Sequence, residues 1–380
     1  MFSYWEQESF SHYHHIVVGG GIVGLSLAIE LSEQYAGARI LVLERALLPT
    51  GASTRNAGFA CMGSATELLD DLTHTSEDEV VALFAQRKEG LELLRKRLGD
   101  ERIGYRANGS YELISEAELY AIDQLDYLNS LLLPVTGKPA FEEAKGVQTD
   151  FGFGEASVST MVRQTCEGEL HTGKMMRALT DMAIHKGIEI KTGANVVRYD
   201  EEELRVVVTV EEQYRKEAWL LTCDTLSICT NAFTKSLLPT EDIAPGRGQV
   251  LITEPVEGLK FKGIFHFDKG YYYFREIDGR VLFGGGRNLD FDTEQTTEIA
   301  LNQMIQDDLD HKLANVILPG VDVKVAQRWA GIMAFGSTKQ PIVKAISTRV
   351  YGAYRMGGMG VALGSNVAAT LARTIKQQWQ

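Results

Sequence analysis

IVVGGGIVGLSLAIELSEQYAGARILVLER, residues 16–45, carries the reading that decides the fold. Ile16, Val17 and Val18 make a short β-branched run, and Gly19, Gly20, Gly21 and Gly24 follow it in the spacing G-x-G-x-x-G. Leu25, Leu27, Ala28 and Leu31 then recur on one helical face, Tyr35 to Gly37 end the helix, and Ile40 to Leu43 form a second strand. This is one βαβ unit. In such a unit the first glycine permits the tight turn, the second lets a pyrophosphate approach the backbone, and the third lets the helix pack on the strand. The helix N-terminus adds free N–H groups and the positive end of its dipole. Glu44 closes the unit where a carboxylate can accept hydrogen bonds from ribose hydroxyls. The stretch predicts a dinucleotide site.

The rest of the composition narrows the function classes. At 380 residues the chain is expected to form two domains, and its 44% hydrophobic content is ample for a buried core. Its formal charge of −13 opposes nonspecific attraction to nucleic acid or anionic lipid, so no nucleic-acid partner is expected. Cys61, Cys166, Cys223 and Cys229 show no C-x-x-C pair and read as reduced thiols. Residues 1–15 lack a secretory signal pattern, and the apolar run from Ile16 is too short to span a bilayer. A cytoplasmic protein with no membrane span is expected. His12, His14 and His15 read as the lead-in to the first strand, and no metal site is expected.

Beyond Glu44, the run 51–58, GASTRNAG, is too small and polar for a core helix and reads as a binding loop, with Ser53, Thr54 and Arg55 as its polar groups. Helices are predicted over Ser76–Leu98, Ser115–Leu132 and Gly173–His185, with a hairpin at Tyr105–Ile114 turning on Asn108-Gly109. Strands at Ile188–Ile190, Val196–Tyr199, Leu204–Val210 and Leu226–Cys229 return the chain to an α/β pattern. After Thr240 come short strands at Val250–Thr253, Tyr271–Arg275 and Val281–Gly284, an Asp278-Gly279 hairpin turn, and a helix over Thr296–Leu313. The chain ends with a strand at Arg349–Arg355, a second glycine turn at Gly357-Gly-Met-Gly360, and a helix over Asn366–Lys376.

Taken together, these motifs resemble the flavoprotein amine oxidases related to D-amino acid oxidase, glycine oxidase and sarcosine oxidase. The resemblance rests on Val18–Gly24 with Glu44-Arg45, the 51–58 loop, 229–234 (CTNAFT), 246–249 (GRGQ), 271–275 (YYYFR), 284–287 (GGGR), 329–331 (WAG) and 357–360 (GGMG). It implies an α/β fold: a Rossmann-type FAD-binding domain with a parallel sheet, from residues 1–65, 150–235 and 325–380, and an α+β substrate-binding domain with an antiparallel sheet, from 66–149 and 236–324. It places Gly19, Gly21 and Gly24 at the pyrophosphate and Glu44 at the adenosine ribose. Ser53, Thr54 and Arg55 fall near the phosphates and flavin ring, and Gly357, Gly358 and Gly360 near its pyrimidine side. Ile22, Arg45, Asn56, Gly58, Val197, Asn231, Gly331 and Met359 complete the implied cofactor set.

The family likeness further implies oxidation of the C–N bond of a small amine or amino acid, with hydride transfer to flavin N5, hydrolysis of the imine, and oxygen or another electron acceptor. Amino-acid-oxidising relatives often carry a carboxylate-binding arginine after Trp-x-Gly, whereas Ile332, Met333 and Ala334 stand here. No Cys-x-Tyr segment for covalent attachment is found, so noncovalent FAD is expected. Tyr272, Tyr273, Arg275, Arg287 and Met333 are the substrate-pocket candidates. Successive residues of a strand alternate faces, so at most two of Tyr271–Phe274 can reach one site. Surface salt bridges are the plainer reading of Arg275 and Arg287. Two rivals are a nicotinamide-dependent dehydrogenase, which leaves the second glycine turn unexplained, and a flavin-bound module that recognises RNA or a partner.

Overall fold

Val17 pairs with Val42 on one side and Ser227 on the other, which sets the first strand at the centre of a sheet. The computed structural model describes residues 3–154, 157–212 and 218–379. Five strands of this eight-stranded sheet run parallel in the order Val350–Tyr354, Ala218–Ile228, His12–Val18, Ile40–Glu44, Glu189–Thr192. Ile342–Ala345 adds an antiparallel edge, and Ala218–Ile228 also pairs with Val206–Glu212, which pairs with Ala194–Glu201. The central strands are apolar on both faces because both faces are covered. Val17, Ile40 and Val42 pack beneath helices Ile22–Gln34, Thr172–His185 and Gly360–Gln378, whereas Ile16, Val18, Leu41 and Leu43 share a core with Val206 and Val208.

The second sheet runs Val325–Phe335, Ala244–Thr253, Arg280–Gly285, Tyr272–Ile277, Ile264–Phe267, Ser110–Ile114, Thr160–Gln164, Phe141–Glu143. Its ladders are antiparallel except for Ile264–Phe267 against Ser110–Ile114. One face is sealed by an aromatic core in which Phe265 and Phe274 stack at 4.7 Å, under Ile305 and Leu309 of helix Gln303–Lys312. Its other face is half of the cavity described below. Thr160–Gln164 and Val325–Phe335, which the sequence boundaries assign to the nucleotide domain, hydrogen-bond into this sheet.

Local expectations fail where a distant partner overrides them. The predicted hairpin at Tyr105–Ile114 does not form: Arg106 makes one bridge to Glu169, and Ser110–Ile114 pairs instead with strands about 50 and 150 residues on. Ser115–Leu132 is broken into Glu116–Glu118, Tyr120–Asp123 and Leu125–Thr136. Gln303–Lys312 is shorter than the helix expected there, while the last helix begins already at Gly360. Two local signals hold. The helix expected over Ser76–Leu98 forms as Glu77–Leu98, started by a capping box of Ser76 and Glu79, and Asp278 and Gly279 turn their hairpin with φ of 51° and 71°.

Candidate functional site

Both glycine turns open into one cavity of about 560 Å³. At the first turn the spacing is enforced by backbone contact. A Cβ on Gly24 would lie 1.9 Å from the Gly19 carbonyl, and one on Gly19 would lie 2.6 Å from the Cys229 carbonyl. Glu44 closes the turn as an acceptor: its Oε2 takes the Gly20 N–H at 3.0 Å and its Oε1 the Ala46 N–H at 3.1 Å. The Ile22 N–H donates to Ser53 Oγ at 3.0 Å, bringing the 51–58 loop over the helix N-terminus. The Arg45 guanidinium stacks on Phe233 at 3.6 Å.

That loop is tied to the second sheet. Arg55 donates from Nε to Thr50 O (2.8 Å) and from an η nitrogen to Ala330 O (2.6 Å), and the Trp329 indole donates to Arg55 O (3.0 Å). Asn231, at φ 47°, accepts the N–H groups of Arg355 (3.0 Å) and Met356 (3.2 Å) and so fixes the approach to the second glycine turn. There Gly357 and Gly358 adopt φ of 55° and 84°, and the helix from Gly360 starts without a side-chain cap.

The opposite wall is the free face of the second sheet, where large side chains lie over glycines. The Tyr273 ring stands 2.7 Å from where a Gly284 Cβ would be, and Met333 Cε 2.8 Å from a Gly248 Cβ. Below them His266 Nε2 lies 3.5 Å from Glu167 Oε2, both side chains buried. Burial opposes the imidazolium, but the Glu167 carboxylate outweighs it and raises the His266 pKa; burial likewise raises Glu167, and its His266 partner brings it below the ordinary value. Glu167 also accepts the Met62 and Gly63 N–H groups, holding the segment that carries Cys61. Around the same end Lys339 pairs with Glu67 (2.9 Å) and Asp71 (2.7 Å), and Lys269 with Asp70 (2.6 Å). Burial works against the Glu67 carboxylate, yet Lys339 and Arg87 hold its pKa below the usual value.

Of the sequence candidates, Gly19, Gly21, Ile22, Glu44, Arg45, Ser53, Arg55, Asn56, Asn231, Gly331, Gly357, Gly358, Met359 and Gly360 line the cavity, as do Tyr273, Arg287 and Met333. Six do not. Gly24 is a packing glycine. Thr54 turns its hydroxyl to Pro49 O and Gly51 O, and Gly58 is pressed against Leu170 O. Val197 points outward while Val196 points in, a one-residue offset that exchanges faces. Tyr272 is buried in the aromatic core with its hydroxyl on Asp308 at 2.7 Å. Arg275 is buried against Glu169 at 3.1 Å, so it is neither a surface arginine nor a cavity one. Arg287 is not a surface salt bridge either, since no carboxylate stands within 4.0 Å of it among the described residues. The sequence reading missed His266, Glu67, Asp70, Lys269, Lys339 and Phe335. Only His266, a lone polar residue between Phe265 and Phe267, leaves a local trace.

Residues 14–374 match the family described as FAD dependent oxidoreductase (DAO). The chain is 24% identical to a probable oxidoreductase, OrdL, of Haemophilus influenzae, over 96% of this chain and 83% of that protein. It is also 24% identical to the gamma-glutamylputrescine oxidoreductase of Escherichia coli, over 91% and 79%. The fold superimposes on glycine oxidase from Geobacillus kaustophilus with a TM-score of 0.77 at 19% identity, over 97% of this chain and 96% of that one.

Proposed function

The chain belongs to the FAD dependent oxidoreductase family, and on that premise we propose that it oxidises the C–N bond of a small amine or amino acid. The cofactor is FAD, as in the family. One observation carries its fit: a single cavity joins two glycine turns, each leading into a helix whose N-cap residue, Gly21 or Met359, offers no capping side chain. Apart from the Ile22 N–H, which Ser53 Oγ accepts, the first-turn N–H groups of both helices are thereby left for a long anionic ligand.

In this reading Gly19, Gly21 and Ile22 receive the pyrophosphate, Glu44 and Arg45 the adenosine ribose, and Ser53, Arg55 and Asn56 the adjoining phosphate and ring. Gly357 to Gly360 approach the pyrimidine side, where aligned N–H groups stabilise negative charge. Bound FAD would supply a two-electron acceptor for the hydride on the carbon beside the substrate nitrogen, and the imine so formed would be hydrolysed by water. The protein's own task is positioning. Tyr273, Met333 and Phe335 form an apolar wall that orients the amine and excludes water, with the Tyr273 hydroxyl as a polar handle. Held without a covalent bond, the cofactor leaves on denaturation.

Glycine and gamma-glutamylputrescine, named for two of the relatives, support the amine class. The partners in this reading are that substrate and oxygen or another acceptor. The four cysteines are unbridged, which supports a cytoplasmic setting, and among the described residues no helix is long and apolar enough to cross a membrane. The test is an anaerobic screen of primary amines, secondary amines and amino acids against the purified holoprotein. An amine should bleach the flavin, while simple alcohols and 2-hydroxy acids leave it oxidised. Bleaching by a hydroxy acid with every amine inert rejects the proposal.

A further inference from the structure

Arg287 is a half-buried cation on the cavity wall with no carboxylate within salt-bridge distance among the described residues. It follows the hairpin strand Arg280–Gly285, and its guanidinium lies between two cavity-lining rings, 4.2 Å from the centre of Phe335 and 4.9 Å from that of Phe291. Its Nε is buried with no hydrogen-bond partner. Three other arginines of the second sheet are matched to carboxylates, Arg247 to Glu294 at 2.7 Å, Arg275 to Glu169 at 3.1 Å and Arg328 to Asp310 at 2.8 Å, while Arg280 donates to Thr253 O at 2.8 Å. Glu294, the carboxylate that acts on Arg287 from further off, is already bound by Arg247, Gln249 and Asn302. Among the other cavity arginines, Arg55 donates to backbone carbonyls, and Arg45 sits beside Glu44 at the far end.

Drawing a charge partly out of water without a partner is costly, and stacking on aromatic faces offsets only part of that cost. Stacking does fix the plane of the guanidinium while leaving its edge donors free, the geometry that matches a carboxylate. The strand Val325–Phe335 locates the spot. Its inward residues are Gly331 beside Arg55, Met333 beside Gly358, and Phe335 beside Arg287. Successive inward residues are spaced about 7 Å apart, so Arg287 lies about one such step beyond the point where the second glycine turn meets the sheet.

We propose that Arg287 is the substrate's anion anchor: the substrate is an amine that also carries a carboxylate, received at the guanidinium edge between Phe291 and Phe335, several bonds from the carbon that is oxidised. The proposal rests on the amine-oxidising reading of the cavity, but its test reads binding separately from reaction. The probes are 5-aminopentanoate and pentylamine, alike except for the carboxylate, titrated into the oxidised holoprotein while the flavin absorption spectrum is followed. The wild type should bind 5-aminopentanoate roughly ten- to a hundredfold more tightly than pentylamine. Arg287→Gln should abolish that preference and Arg287→Lys should keep part of it, each at the wild-type ratio of FAD to protein. Equal binding of the two probes by the wild type, including no detectable binding of either, overturns the proposal. So does a preference that survives in Arg287→Gln. Should the preference depend on Arg287 while no amine ever bleaches the flavin, the anchor stands and the amine-oxidation reading falls.

Discussion

At one end of the cavity the wall is backbone, and at the other it is side chain. Around Gly19 to Gly24 the chain approaches itself so closely that a single added carbon on Gly24 would lie 1.9 Å from a carbonyl oxygen, and Glu44 completes the turn from the next strand. Across the cavity, the second sheet contributes Tyr273, His266, Met333 and Phe335 from three different strands, and Tyr273, Met333 and Phe335 stand over glycines that make room for them. The first wall is local in sequence and rigid by steric exclusion. The second exists only once strands far apart in sequence have found their register. Substitutions should therefore fail differently at the two ends.

The largest effect is expected at the backbone wall. Gly24→Ala forces a methyl group into the Gly19 carbonyl, a clash neither backbone segment can relieve alone, and should exceed the ~1–3 kcal/mol usual for overpacking. Little soluble protein with bound FAD should be recovered; a normal yield with normal FAD content would show that the turn is not set by this contact.

Next comes the buried His266–Glu167 pair beneath the sheet wall. Glu167→Gln removes the charge while keeping the shape, and should cost about 3–5 kcal/mol of unfolding free energy near pH 6, by denaturant titration. The sign of its pH dependence follows from the two shifts. His266, raised from 6.5, contributes stability that is complete below 6.5 and is lost as pH rises through its folded value. Glu167, lowered from 4.5, contributes stability that is complete above 4.5 and is lost as pH falls through its folded value. The penalty of Glu167→Gln should accordingly be greatest between pH 4.5 and 6.5 and shrink as pH is raised. A penalty that grows toward alkaline pH would mean that His266 is neutral in the folded protein.

The smallest effect separates the two faces of one strand. Tyr272→Phe loses a hydroxyl donated to Asp308 in the aromatic core and should cost about 1–2 kcal/mol of stability without changing flavin reduction. Tyr273→Phe, on the cavity face, should change the rate of flavin reduction by an active amine and leave stability nearly untouched. Exchange of the two phenotypes would place the strand one residue out of register.

Residues 16–45 could be read directly because the strand, the turn and the helix start are set mainly by contacts within the stretch, and hydrophobic period, glycine spacing and a terminal acid all agree. The same holds for the helix at Ser76–Leu98 and for the Asp278-Gly279 turn. The alternation of Tyr271 to Phe274 was legible as two faces, but not which face met the cavity. That depended on the aromatic core claiming Tyr272 and Phe274. Arg275 and Arg287 looked alike in sequence, yet one is paired with Glu169 and the other has no acid within salt-bridge distance among the described residues. The predicted hairpin at Tyr105–Ile114 had a sound turn and a second arm whose better partners lay far down the chain.

By itself the sequence determined the nucleotide-binding unit, the second glycine turn and hence the cofactor class, because a φ above zero, a close backbone approach and a helix start are conditions on neighbouring residues. Tertiary structure alone decided which side chains share the cavity. His266 meets Glu167 across 99 residues and Lys339 meets Glu67 across 272, and no local pattern encodes a charge whose partner is brought to it by the register of another strand.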